Sequence, residues 1–374
     1  VTLWIAVYAV GAVQAAMLAA ALWRREANPR ANRILAAWLA IIAADLAVKA
    51  TWLATHAPAW RTAWIVATLL PSLYASLFYL YVRALTTGRG LRPRDLLHAS
   101  VPAATGAAML LRFAAGAMPS DHGGWHAAWF DPLLFGWAAF WLGAALLRVQ
   151  RYRRGMRERR ADADRLSLRW IVVLAACQLV IWTIAVLQWR FRLPYVDYFL
   201  IYGAVAAWVC IVGWSSLAHP PVVELPEQDA AAPGTPGADA GGAGATAADD
   251  DPRFPEVEAR LARLMQEEAL YREPALAIGK LARRSGYPEY LVSAVINRRL
   301  GGNFWEYVNR HRIAAACAAL ADPADTRTIL EIAYDVGFTS KSTFNASFKR
   351  LTGATPSAWR AGATRAAAGS TPRG

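Results

Sequence analysis

Across the first 217 residues, apolar runs of helical length alternate with short arginine-rich stretches. No other feature constrains the fold as strongly. A bilayer core needs about 20 apolar residues per helix, and a charge at its centre costs about 3 kcal/mol on insertion scales. The runs are Thr2–Trp23, Ile34–Thr55, Thr62–Val82, Leu96–Met118, Leu133–Leu147, Leu168–Trp189 and Tyr195–Leu217. Seven spans are expected. Six remain if the fourth fails, because Pro102 and Arg112 interrupt it. The fifth is short, and Trp129 and Phe130 extend it toward the interface.

The charges between the runs test this reading. The first gap holds Arg24, Arg25, Arg30 and Arg33, and the third holds Arg83, Arg89, Arg92 and Arg94. The fifth holds Arg148, Arg151, Arg153, Arg154, Arg157, Arg159, Arg160 and Arg165. The other gaps are poor in cations. Basic loops stay cytoplasmic, which puts the amino terminus outside and the carboxyl half in the cytoplasm. The first run is read as a span rather than a cleaved leader, because its arginines follow the apolar stretch instead of preceding it.

Composition agrees. Of 374 residues 56% are apolar and only 18% charged, yet the net charge is +13. Soluble domains carry about 25% charged residues, so a chain both apolar and basic must sort its arginines into blocks. One small soluble enzyme is excluded. Three separated cysteines, Cys177, Cys210 and Cys317, exclude a disulfide scaffold and a cysteine-based zinc module.

Between residues 218 and 252 the chain turns rich in Ala, Gly and Pro. It carries Glu224, Glu227, Asp229, Asp239, Asp249, Asp250 and Asp251 with no Lys or Arg. Such a segment cannot bury enough apolar surface to fold, so a solvated tether is expected. As a flexible coil it would span roughly 30–35 Å, and its acidity keeps it off anionic lipid and DNA.

Residues 253–360 read as a compact helical domain, followed by a disordered tail at 361–374. A helix over Pro255–Tyr271 carries Val257, Leu261, Leu264 and Met265 on one face. Ile278, Leu281 and Ala282 face inward from a short helix, Ser285-Gly286-Tyr287 makes a turn, and a second helix starts near Pro288 with Val292, Val295, Ile296 and Leu300 inward. Gly301-Gly302 stops it. A longer helix follows, with Phe304, Val308, Ile313, Ala316 and Leu320 on its apolar face.

The pattern then repeats. Thr328 and Glu331 have capping-box spacing, and Ile329, Ile332, Ala333 and Val336 follow the 3.6-residue period. Gly337-Phe338 turns the chain and Thr339 or Ser340 caps the next helix, where Phe344, Phe348 and Leu351 are expected in the core. Lys341, Ser342, Asn345 and Lys349 take the opposite face. The fold class is therefore all-α: a seven-helix transmembrane domain, a linker, and a domain with two helix–turn–helix units, an architecture for reading DNA.

The stretch Ile332-Ala333-Tyr334-Asp335-Val336-Gly337-Phe338-Thr339-Ser340-Lys341-Ser342-Thr343-Phe344, continuing through Phe348-Lys349-Arg350, Gly353, Thr355-Pro356 and Trp359-Arg360, resembles the signature of the AraC/XylS transcription regulators. Leu281-Ala282 to Gly301, with Asn303-Phe304 and Arg312-Ile313, is similar to that family's first unit. The resemblance covers the last hundred residues and is silent on the apolar half. It implies a linking helix that holds two recognition helices about one DNA turn apart.

It also implies base contacts at Tyr290, Ser293 and Ala294 in the first unit and at Lys341, Ser342, Asn345 and Ala346 in the second. Ala294 and Ala346 depart from the family pattern, where arginine is common. Alanine can meet a thymine methyl but cannot bond guanine. Arg298, Arg299, Lys349 and Arg350 are read as phosphate ligands. Double-stranded DNA and the lipid bilayer are the expected partners, with RNA polymerase contact, a homodimer and an unidentified signal ligand or membrane partner beside them.

Sensor candidates lie in the apolar half. Asp45 and Lys49 stand four residues apart within the second run, and intramembrane charges are functional candidates, although a self-neutralising structural pair explains them as well. Asp121, His122 and His126 share an outer loop with Trp125 and Trp129, open to a metal or ligand or to interfacial aromatics alone. No catalytic motif and no cofactor-binding motif is present. Two other readings stand beside the regulator. One is a transporter or enzyme with a regulatory DNA-binding tail, which needs a continuous polar path that Asp45, Lys49, Gln178 and Gln188 do not supply. The other is an output domain that binds protein.

Overall fold

The computed structural model describes residues 2–67, 69–114, 131–163, 168–191, 199–218 and 251–369. All regular structure among them is helical, and one isolated bridge, Arg160 to Ala277, is the only β pairing there. Two compact units form, Val1–Tyr152 with Leu168–Asp229, and Arg153–Ser167 with Ala230–Gly374. The expected linker falls almost wholly outside the described residues, as do His122 and His126.

The first unit is built on α1 (Thr2–Trp23) and α2 (Pro29–Thr55), which pack along each other. Pro29 opens α2 in the first turn, where its missing N–H costs nothing. α8 (Phe199–Ala218) lies against α1 through small residues. A Cβ on Gly11 would stand 2.9 Å from the Ala206 Cβ, and one on Gly203 2.7 Å from the Trp4 ring. Close approach through glycine is how helices associate where burial drives nothing. Trp38, fully buried, anchors the centre against Tyr74, Phe78 and Trp208.

The third run departs from expectation. It is not one helix but α3 (Arg61–Ala67), a 3-10 turn Leu70–Leu73 and α4 (Tyr74–Thr87). Pro71 sits at the break, and proline removes a ladder donor and clashes with the preceding turn. The fourth run gives a 3-10 turn, Pro93–Ala99, then α5 (Ser100–Ala114), which accommodates Pro102 in its first turn. The fifth run extends well past Leu147: α6 is Asp131–Arg159, so most of the arginine block is helix, not loop. Arg157 and Arg159 lie in its last turn, where cations oppose the helix dipole favourably. α7 (Arg169–Phe191) follows the expected bounds closely.

Among the described residues, four helices are long and apolar enough to cross a membrane, Thr2–Trp23, Pro29–Thr55, Asp131–Arg159 and Trp170–Phe191. Their outer faces are apolar too. Leu3, Val10, Val13 and Met17 on α1, Phe140 on α6 and Leu179 and Val180 on α7 are all more than half exposed. A water-facing protein seldom leaves so many large apolar side chains bare on its long helices. These helices suit a membrane.

The second unit holds two separate cores. One gathers α9 (Phe254–Gln266), α10 (Ile278–Ser285), α11 (Glu289–Arg298) and the start of α12 (Phe304–Ala321) around Val257, Leu261, Leu281, Val292 and Ile296. The other joins the end of α12 to α13 (Ile329–Asp335) and α14 (Lys341–Thr352) around Ile313, Ile332, Phe344 and Phe348. α9 ends at Gln266, short of Tyr271, and a 3-10 turn Leu270–Arg272 follows. α15 (Pro356–Gly369) continues past Arg360 into the stretch expected to be a disordered tail. Trp359 fixes it, donating from Nε1 to the Cys317 carbonyl at 3.3 Å and meeting Phe348 edge-on.

Candidate nucleic-acid interface

Each helix–turn–helix is set by its turn. Gly286 caps α10 with φ of 81°, a left-handed geometry that L side chains resist. Pro288 then stands in extended conformation as the N-cap of α11, one position earlier than a first-turn proline. With Leu291, Val292, Val295 and Ile296 buried, the opposite face of α11 is fixed. Tyr290 is 66% exposed on it. Ser293 is half-buried and accepts from Asn297 Nδ2 at 3.4 Å. Arg298 and Arg299 are exposed at its end, and Arg299 Nε lies 3.1 Å from Glu258.

The second unit is more tightly specified. Thr328 and Glu331 form the expected reciprocal box: Thr328 N–H donates to Glu331 Oε2 at 2.6 Å, and Glu331 N–H to Thr328 Oγ1 at 3.2 Å. The Thr328 bonds hold the Glu331 carboxyl below its usual range. Ser340, rather than Thr339, caps α14, accepting from the Thr343 N–H at 3.2 Å. Phe344 and Phe348 are fully buried, which turns Lys341, Ser342, Asn345 and Lys349 outward as one face; Asn345 is half-buried and the others exposed.

Leu351 does not take the core position its spacing predicts. It is 41% exposed, and Ser347 takes the inward position beside Phe344 and Phe348. The last turn of α14 runs past the edge of this small core, so the apolar period outlasts the surface it can cover.

Arg350 does not reach outward alone. Its guanidinium lies 4.1 Å over the centroid of the Trp305 ring, and Arg157 lies 5.3 Å from the same centroid. Arg312, named from the sequence only within a motif, proves central. It is 1% exposed and donates from Nε to the Tyr271 carbonyl at 2.7 Å and from Nη2 to the Glu273 carbonyl at 2.8 Å. Its guanidinium also stands 5.5 Å from the Phe338 ring. Burial pulls its pKa down to about 10, opposed by Asp162, so it stays charged at neutral pH.

Gly337 seals the same seam. A Cβ there would lie 2.6 Å from the Arg272 carbonyl oxygen, and φ is 95°. One buried cation and one glycine thus join the segment before α10 to the turn before α14. The inward position of Arg312 is legible in sequence, four residues after Val308 and four before Ala316 on the apolar face of α12, but its carbonyl partners are not.

A model of the helix-turn-helix domain matches residues 281–362. Over 98 residues the chain is 31% identical to a probable transcription factor, PqrA, of Proteus vulgaris, an alignment covering 26% of this chain and 79% of that protein. The chain belongs to the AraC/XylS-type helix-turn-helix family. No solved structure matches it at comparable significance. Membership makes the carboxyl-terminal unit a DNA-binding module of transcription regulation.

In the first unit, the structure surrounds the other candidate pair with partners. Asp45 and Lys49 are buried at 0% and 3% and bonded to each other. The Tyr74 hydroxyl donates to Asp45 Oδ2 at 2.8 Å, and Lys49 Nζ lies 3.6 Å over the Tyr202 ring. The pair therefore fastens α2 to α4 and α8. Among the described residues there is no cluster of three His, Cys, Asp or Glu that could hold a metal ion.

Proposed function

We propose that this protein is a membrane-embedded, sequence-specific transcription regulator of the bacterial plasma membrane. Residues 1–217 form its multi-pass sensor, with the amino terminus outside. Residues 218–252 tether the DNA-binding domain, 253–360, in the cytoplasm. Support comes from one conjunction in a single chain: helices with bare apolar faces, and two capped helix–turn–helix units whose polar faces stay outward.

The base-reading residues are Tyr290 and Ser293 on α11 and Lys341, Ser342 and Asn345 on α14. Lysine suits the guanine acceptors of the major groove and asparagine suits adenine. Arg298, Arg299, Lys349 and Arg350 hold phosphate, which fixes register without reading sequence. A ligand or membrane partner shifts the balance between states of the sensor. Pairing of two output domains and contact with RNA polymerase complete the regulatory step.

Genome-wide mapping of DNA crosslinked to the chain, on a washed membrane fraction, tests the reading. The expected result is a small set of promoter sites sharing one motif. Recovery of random DNA alone, or of the chain in the soluble fraction, contradicts it.

A further inference from the structure

The segment leaving α6 is part of the DNA-binding unit. Arg160 pairs with Ala277 in the isolated antiparallel bridge, and Ala161 N–H donates to the Leu276 carbonyl at 2.9 Å. Ala161 is 1% exposed and belongs to the core of the first helix–turn–helix, with Phe254, Leu276, Ile278 and Val308. Asn309, fully buried on α12, donates from Nδ2 to the Ala161 carbonyl at 3.4 Å. Asp162 bonds Arg160 at 2.8 Å and also raises the Arg312 pKa through its charge. Arg157 covers Trp305.

Four of these partners adjoin or carry the helices of the two helix–turn–helix units. Leu276 and Ala277 lead directly into α10, and Ala277 is its N-cap. Asn309 and Arg312 lie on α12, which carries residues of both cores. A residue buried among core side chains cannot be withdrawn without loosening what it packs against, because interiors are close-packed. The segment's arginines also add positive charge to the unit, which favours approach to DNA.

We infer that Arg157–Ala163 is an intramolecular docking segment that completes the first helix–turn–helix, so that DNA affinity depends on how α6 presents it. The inference rests on the proposed reading of α6 as a membrane span. It supplies a short covalent route for a signal beside the long acidic linker. A change that lifts the segment leaves the domain tethered but weakens its grip on DNA.

The test uses the full chain in lipid nanodiscs, with Cys177, Cys210 and Cys317 replaced by serine. The probe is a duplex selected from a random library by the wild-type chain. Ala161→Asp should lower affinity at least tenfold, while Asn309→Ala, which adds no charge, should lower it about threefold. Antiparallel bridge partners have Cα atoms about 4.5–5.5 Å apart, within disulfide range. Oxidation of an Arg160→Cys, Ala277→Cys pair should therefore crosslink it and restore affinity in the Asn309→Ala background.

Wild-type affinity in both single variants overturns the inference, as does failure of the pair to crosslink or a loss that crosslinking does not repair. If the wild-type chain selects no duplex at all, the regulator reading itself falls, and this inference with it.

Discussion

The Arg312 guanidinium donates to the Tyr271 carbonyl oxygen at 2.7 Å from a site that is almost wholly buried. A cation there is tolerable because two carbonyls and the Phe338 face surround it. Replacing it by methionine keeps the stem and strands both carbonyls, each at about 1–3 kcal/mol. Lysine should fail to rescue, because it lacks the fork that reaches two acceptors. Hydrogen exchange of the full chain should show lost protection on both sides of the seam, at α10 and α13; an unchanged pattern would remove Arg312 from that role.

Phe344 belongs to the smaller core alone. Phe344→Ala should cost about 3–5 kcal/mol locally. Amides of α13 and α14 should then exchange early while those of α10 and α11 keep their protection. Simultaneous loss in all four helices would mean that the two cores unfold as one.

Much of the output domain was legible in the sequence, because caps, turns and apolar periods are local chemistry. Thr328, Glu331, Gly286 and Gly337 each mark a boundary through their own backbone needs. What escaped was non-local. Arg312 is explained only by carbonyls some forty residues earlier in the chain, and Ala161 by a core whose other members begin at Phe254. Nothing in a run of arginines signals that its end docks on a distant domain. In the apolar half, composition marked the runs but not their breaks. Pro71 divides the third, whereas Pro102 is absorbed by a helix start, and the difference depends on which turn each occupies.

The alternation of arginine blocks makes topology testable. Reporters fused after Arg157 should be cytoplasmic and those fused near Gly123 external. An external reporter after Arg157 would reverse the proposed orientation and strand the DNA-binding unit on the wrong side.

Asp45 and Lys49 neutralise each other inside the first unit. Removing one partner leaves a buried charge alone, at about 3–5 kcal/mol, while removing both is far milder. Asp45→Asn should therefore reduce the amount of protein in membranes, and Asp45→Asn with Lys49→Met should restore it. Altered promoter output from the double variant at normal membrane level assigns the pair to signalling. Wild-type output leaves it structural.

Embedded in lipid, the proposed regulator should read DNA sequence through α14. Equilibrium binding of the nanodisc-held full chain to a selected duplex and to a scrambled one measures this directly. The wild-type chain should prefer the selected duplex, and Asn345→Ala should narrow that preference by about 1–3 kcal/mol at one base position. Lys349→Ala should instead weaken both duplexes alike and lower the salt slope by about one unit. If Asn345→Ala weakens selected and scrambled DNA equally, α14 is not the reader and the account is contradicted.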